Sequence, residues 1–231
     1  VETLPSDFDL GLKNLGEQDR WLDIGAGKAQ AILDYFLTDI ESMRQEKGRR
    51  GMRKAKAVAI SVEDRRTPLW HETAATLGGN RIQYLHDKRL NEYSLGELGR
   101  FQIITDIFGG FSYSEDLSQF MEKTLSFLDT KGTFYTVLQD VKSETDTNQP
   151  YYANSPYLTR IADAKGGDVN VCAWLKRISC VEVACELKAA WQPPIEVYRV
   201  RKTCDQVSVP RLERTHYQAG TPPERSYRVM E

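Results

Sequence analysis

Trp21-Leu22-Asp23-Ile24-Gly25-Ala26-Gly27-Lys28-Ala29 joins an apolar run, an acid and a glycine-rich turn, and an amphipathic stretch from Ala29 to Gln45 follows at once. A strand, a tight turn and a helix in this order bring backbone close to a nucleoside or nucleotide. Gly25 and Gly27 can take backbone angles closed to other residues, and they place no Cβ in the way. Asp23 falls at the carboxyl edge of the strand, where open α/β sheets bind their ligands.

The same alternation continues outward from that turn. Ile32, Phe36, Ile40 and Met43 recur at helical spacing. Lys56 to Val62 reads as a second strand, and Thr67-Pro68 opens a helix that stops at Gly78-Gly79. Arg81 to His86 is a third strand, and Phe101 to Phe108 a fourth and the most apolar. Ser112 and Glu115 fit a capping box, and Leu117, Phe120, Met121, Leu125 and Leu128 give the helix after it a buried stripe. Lys131-Gly132 turns into a fifth strand, Thr133 to Leu138. Beyond it, Asp140 to Asn154 reads as a polar loop, Ser155-Pro156 as the start of a short helix, and Asp168 to Ile178 as another helix. Val181 to Leu187 and Ile195 to Val200 are separated by too few residues for a crossover, which predicts an antiparallel hairpin.

The expected fold is therefore α/β: a doubly wound, mostly parallel, seven-stranded sheet ending in an antiparallel hairpin, with helices on both faces. The chain divides into a short N-terminal segment (1–20), the sheet domain (21–202) and a polar extension of it (203–231) with no clear period. The 231 residues suffice for one large core, and 40% hydrophobic with 28% charged residues is ordinary for a globular protein. No run approaches the roughly 18 apolar residues of a membrane span, and the first residues show no signal-peptide pattern. Cys172, Cys180, Cys185 and Cys204 form no C-x-x-C pair and have no histidine at zinc-ligand spacing. They are expected to be reduced and structural, which implies a cytoplasmic setting.

Leu22-Asp23-Ile24-Gly25-Ala26-Gly27 and Phe101-Gln102-Ile103-Ile104-Thr105-Asp106, set in five β/α units closed by a hairpin, resemble the class I S-adenosylmethionine-dependent methyltransferases over roughly Gln18 to Arg201. The resemblance implies S-adenosylmethionine as cofactor, with the Asp23, Gly25, Ala26 and Gly27 turn around its methionine and ribose end. It puts Asp87 near the adenine, and Asp106 and Ile107 along the cofactor and the transfer centre. The family's ribose-binding acid at the end of strand two has no direct match. Ser61 holds that slot, and Glu63 follows two residues later, with Asp64 competing. The family's D-P-P-Y-like motif of amino-methylating DNA enzymes is also missing, since the stretch reads Asp106-Ile107-Phe108-Gly109.

Arg44 to Lys56 carries seven basic residues and one acidic. Such a run reads as a solvated loop or as a contact for RNA or another polyanion. The net charge of −2 argues against general nucleic-acid coating. His71, His86 and His216 read as structural, and Tyr113 either packs or meets an acceptor. No metal site is expected. Two other classes stay open beside the transferase: an idle fold that binds nucleic acid or a protein, and an aminopropyl transferase. The acceptor and the oligomeric state are not legible.

Overall fold

The apolar run at Arg20–Ile24 forms a strand whose alternating side chains enter two different cores, and this splits the molecule into layers. The computed structural model describes residues 4–45, 53–78, 80–139, 158–191 and 194–230. In chain order the elements are α1 (Ser6–Asn14), β1 (Arg20–Ile24), α2 (Gln30–Gln45), β2 (Lys56–Ile60), α3 (Pro68–Leu77), β3 (Ile82–Leu85), a short tight turn (Leu90–Glu92), α4 (Leu95–Leu98), β4 (Phe101–Ile107), α5 (Gly110–Tyr113) and α6 (Leu117–Phe127). There follow β5 (Leu128–Leu138), β6 (Thr159–Ala162), β7 (Asp168–Val169), α7 (Val171–Leu175), β8 (Val181–Lys188), β9 (Ile195–Lys202), β10 (Leu212–Gln218) and β11 (Glu224–Val229).

Seven strands form one sheet in the order β3-β2-β1-β4-β5-β9-β8. The first five run parallel, and β9 enters antiparallel between β5 and β8. The strand order reverses between β1 and β4, so the crevice for a ligand opens beyond their carboxyl ends. One core, on the face of α1, α2 and α3, takes Phe8, Leu12, Trp21, Ile32, Phe36, Trp70 and Ile103. The other, on the face of α5 and α6, takes Leu22, Ile104, Phe111, Phe120, Met121, Phe134 and Tyr198. The side chains of Ile40 and Met43 lie outside the described residues, as do the loop expected over 140–154 and the helix start expected at 155–156.

Local chemistry sets the helix ends. The Thr67 hydroxyl accepts the Trp70 amide at 3.2 Å with Pro68 in the first turn, as the sequence predicts, and Gly78 ends the helix at φ 76°. A cap of this kind is worth about 1 kcal/mol. The predicted capping box at Ser112 and Glu115 is not used. Asp116 caps α6 through the Gln119 amide, and the Ser112 hydroxyl donates instead to the Val137 carbonyl at 3.2 Å. Asp116 prevails because it alone stands immediately before the helical stripe.

The last third departs most from expectation. The helix read over Asp168 to Ile178 shrinks to Val171–Leu175, capped by Asn170, because Asp168 and Val169 pair with β6. The extension read as aperiodic forms β10 and β11, which join β6 and β7 in a second sheet ordered β10-β11-β6-β7. Val209, Leu212 and Tyr227 of this part enter the same core as Leu22 and Phe111.

The cysteine reading is also corrected. Cys172 pairs with Cys185 and Cys180 with Cys204, so all four are disulfide-bonded. The pairs join α7 to β8, and the loop before β8 to the segment after β9. Spacing missed them because the partners meet across the fold, 13 and 24 residues apart. With the thiols oxidised, the argument for a reducing compartment lapses. Among the described residues no helix is long and apolar enough to cross a membrane.

Candidate cofactor site

β1, β2 and β4 end side by side, with Ile24 opposite Ile60 and Asp106. The glycine turn begins directly after Ile24. The Ala26 amide donates to the Ile60 carbonyl at 3.0 Å, and the Ala29 amide to the Ala26 carbonyl at 2.7 Å, which ties the turn to β2 and starts α2. Gly25 and Gly27 lie at φ 65° and 54°, where side chains are disfavoured.

The two glycines serve different ends. A Cβ on Gly27 would meet nothing within 4 Å. That side of the turn is an open cradle. A Cβ on Gly25 would come 2.8 Å from the Gly109 Cα. Gly25 is therefore required by the close approach of the loop after β4.

Asp23 is buried, and its Oδ1 accepts from the Thr105 hydroxyl at 2.6 Å. Thr105 Oγ1 in turn accepts from Trp21 Nε1 at 2.9 Å. Burial pushes Asp23 up to about 6, against the pull of that hydroxyl. Asp106 is wholly buried, and its Oδ2 accepts the Phe111 amide at 2.7 Å. Burial pushes it up to about 7. The Phe111 and Gly109 amides oppose the rise, the Asp23 charge adds to it, and the Arg225 guanidinium opposes it. Asp106 Oδ1 lies against Gly109 with no hydrogen-bond partner of good geometry. Two carboxylates lifted by burial, one with an orphaned oxygen, stand at the ends of adjacent strands. Such an arrangement favours a cationic ligand, which relieves both.

The expected ribose and adenine contacts lie farther out. β2 ends at Ile60, so Ser61 is the first residue past the strand and is buried. Its hydroxyl faces the Glu63 amide at 3.5 Å. The Glu63 carboxylate is exposed and pairs with Arg65 at 2.8 Å. Asp64 pairs with Arg66 at 2.6 Å, and these hydrogen bonds hold it well below the usual carboxylate range. Asp87 turns outward at φ 69° and meets His86 Nδ1 at 2.6 Å. Ile107 packs against the core beneath α2 and α3. The structure thus brings Asp23, Gly25, Ala26, Gly27, Ser61 and Asp106 together at one edge. Glu63 and Asp87 stand at its rim, engaged with neighbours. Arg44 to Lys56 falls mostly outside the described residues. Of its cations, Arg53 stacks on the Tyr35 ring at 4.8 Å.

Tyr84 escaped the sequence reading. Its hydroxyl donates toward the Gly27 carbonyl at 2.6 Å and the Glu63 carbonyl at 3.2 Å, and it accepts the Arg65 amide at 3.3 Å. One buried phenol thereby fastens the glycine turn to the loop after β2. Only its place on a strand was visible in the sequence. Tyr84→Phe removes these bonds and keeps the ring. A net loss of about 0.5–1.5 kcal/mol per bond should lower the melting temperature by a few degrees, at about 2–4 °C per kcal/mol, and the loosened turn should weaken S-adenosylmethionine roughly tenfold. Calorimetric titration beside a thermal melt checks this, and unchanged affinity would make Tyr84 a packing residue only.

No protein-family model matches the chain, and no curated protein does either. Solved structures do. An rRNA methylase from Streptococcus thermophilus superposes with a TM-score of 0.52 at 9% identity, over 86% of this chain and 95% of that one. Phosphoethanolamine N-methyltransferase 2 from Haemonchus contortus, solved with S-adenosyl-L-methionine, gives 0.51 at 10% identity, over 86% and 53%. The antibiotic-resistance methyltransferase Kmr gives 0.51 at 13%, over 85% and 92%. At these identities the likeness concerns architecture, and it coincides with the strand order and the glycine turn described above. The chain has the fold of the class I S-adenosylmethionine-dependent methyltransferases.

Proposed function

We propose that the chain is an S-adenosylmethionine-dependent methyltransferase that transfers the sulfonium methyl in line to an acceptor. The observation that carries this reading is the pair of buried carboxylates, Asp23 and Asp106, flanking an open glycine cradle where the strand order reverses. The residues fit the cofactor. The Gly27 turn leaves room for a ligand, and the two acids complement the positive charges of its sulfonium and α-ammonium groups. Ser61 and Glu63, which follow β2, are the residues that would meet a ribose. Glu63 would first release Arg65, which is inexpensive because exposed ion pairs are worth about 0–1 kcal/mol.

Bound S-adenosylmethionine supplies an electrophilic methyl, so the reaction needs no covalent intermediate on the protein. The chain's own residues hold the donor at the turn, fix Asp106 at the transfer edge and leave the acceptor to approach past Ile107 and Phe108. Holding the reactants near attack distance and alignment is the main catalytic task.

Titration with S-adenosylmethionine should show binding, and turnover to S-adenosylhomocysteine should appear with one of three acceptor pools: small molecules, proteins or RNA. RNA belongs there because of the basic run at Arg44 to Lys56, and its binding should weaken with salt. Absence of binding would sink the proposal. Preference for the decarboxylated cofactor would turn it toward aminopropyl transfer, and binding without turnover toward an idle fold.

A further inference from the structure

Donors from the C-terminal hairpin converge on three consecutive residues beside the transfer edge. Tyr217 Oη donates to the Tyr113 carbonyl at 3.5 Å and Arg225 Nη1 to the Ser114 carbonyl at 2.8 Å. Tyr227 Oη is shared between the Ser114 and Glu115 carbonyls, 3.2 Å from each. Arg214 forms an ion pair with Glu115. The stretch that matters to the site begins seven residues before Tyr113, at Asp106. Phe108 sits at φ 53°, and the Phe111 amide holds Asp106. A bulky residue at positive φ persists only where its surroundings over-determine it. Phe108 and Tyr113 nonetheless leave 37% and 41% of their surface exposed, so they are not held by burial alone.

Arg225 is wholly buried. Its Nε donates to the Thr159 hydroxyl at 3.1 Å. A guanidinium cannot shed its proton, so its burial must be offset by carbonyls and by negative charge. Its charge also lowers Asp106, as a minor influence behind burial and the Phe111 and Gly109 amides.

We propose that Arg225 and Tyr227 are positioning residues for methyl transfer: from the second sheet they clamp the Asp106–Glu115 segment, so that Asp106 keeps its place and Phe108 and Tyr113 form the wall an acceptor meets. The clamp stands on the geometry, and its part in transfer rests on the methyltransferase reading. The groups that act on Asp106 are the amides of Phe111 and Gly109, and the charges of Asp23 from β1 and Arg225 from β11.

Hydrogen exchange tests the clamp without any ligand. Tyr227→Phe should speed exchange of the amides from Gly109 to Glu115 about tenfold, the scale of one lost hydrogen bond, and leave β1 and β2 unchanged. Arg225→Gln should raise the pH midpoint of S-adenosylmethionine affinity, because it removes a cation that holds Asp106 down. Wild-type exchange rates in a folded Tyr227→Phe variant would overturn the proposal. So would a uniform rise across the whole sheet, or an unmoved midpoint in Arg225→Gln. If the wild type binds no S-adenosylmethionine, the methyltransferase reading fails by itself. The clamp is then judged by exchange, and the midpoint by the pH dependence of apo stability.

Discussion

Gly27→Val should give a folded chain that binds S-adenosylmethionine poorly, whereas Gly25→Val should lose stability and binding together. Both glycines lie at positive φ, where a side chain costs about 1–2 kcal/mol. At Gly27 that strain is the whole structural cost, since a Cβ would meet nothing within 4 Å. A fall of this size lowers the melting temperature by about 2–4 °C per kcal/mol in a domain of this length. The isopropyl group would, however, stand in the cradle. Overpacking costs of about 1–3 kcal/mol translate into a loss of roughly 10- to 100-fold in affinity. At Gly25 the added Cβ would come 2.8 Å from Gly109 Cα. Backbone must then move, and it is the backbone that holds Asp106 through the Gly109–Phe111 turn. Only Gly27→Val separates the ligand from the fold. Circular dichroism melts beside calorimetric titration make the comparison, and full affinity in a folded Gly27→Val chain would place the cofactor elsewhere.

The sequence exposes those parts of the fold whose side chains obey one period. Trp21–Ile24 and Phe101–Ile107 are apolar because both faces of a parallel sheet are covered, and Thr67-Pro68 and Gly78 are local signals that need no tertiary partner. The site's centre is legible for the same reason, since Asp23, Gly25, Gly27 and Asp106 sit at strand ends fixed by these runs. What stays hidden depends on partners distant in sequence. β10 reads Leu-Glu-Arg-Thr-His-Tyr-Gln, with Leu212 its only buried residue, so no alternation marks it. Arg225 looks like a surface residue until the Ser114 carbonyl and the Thr159 hydroxyl are placed around it. Tyr84 has the right residue type for a strand, but its role lies in a hydroxyl reaching 57 residues back to Gly27. The disulfides close only once α7 has been brought beside β8. Even Gly25, which the sequence marks as a turn glycine, owes part of its identity to Gly109, which no local pattern reveals.

Stability of the ligand-free protein should fall as pH rises from 5 to 8, and S-adenosylmethionine should restore more of it at the top of that range. Asp23 and Asp106 stand at about 6 and about 7 when folded, against about 3.9 for an unperturbed aspartate. Between pH 4 and 7 the folded chain therefore holds protons that the unfolded chain has released. Stability then declines with pH, because its slope follows protons bound unfolded minus protons bound folded. The contribution is complete below about pH 4 and is lost as pH passes through the folded values. Each unit of displacement corresponds to about 1.4 kcal/mol, and the two acids titrate as an interacting pair. Asp64 and Glu97 are held low by exposed partners, so their opposite dependence falls below this window. A cationic ligand reverses the balance. It favours the ionised acids, so affinity should increase over the same pH range in which apo stability declines. Asp106→Asn keeps the shape and removes one proton from the linkage, so it should flatten both trends. Denaturant melts at pH 5 and 8, with and without S-adenosylmethionine, read all four quantities. An apo protein as stable at pH 8 as at pH 5 would mean that the two acids are not buried together at this edge. The electrostatic case for a cationic cofactor would go with them, because the pull on the ligand and the cost to the empty fold have the same source.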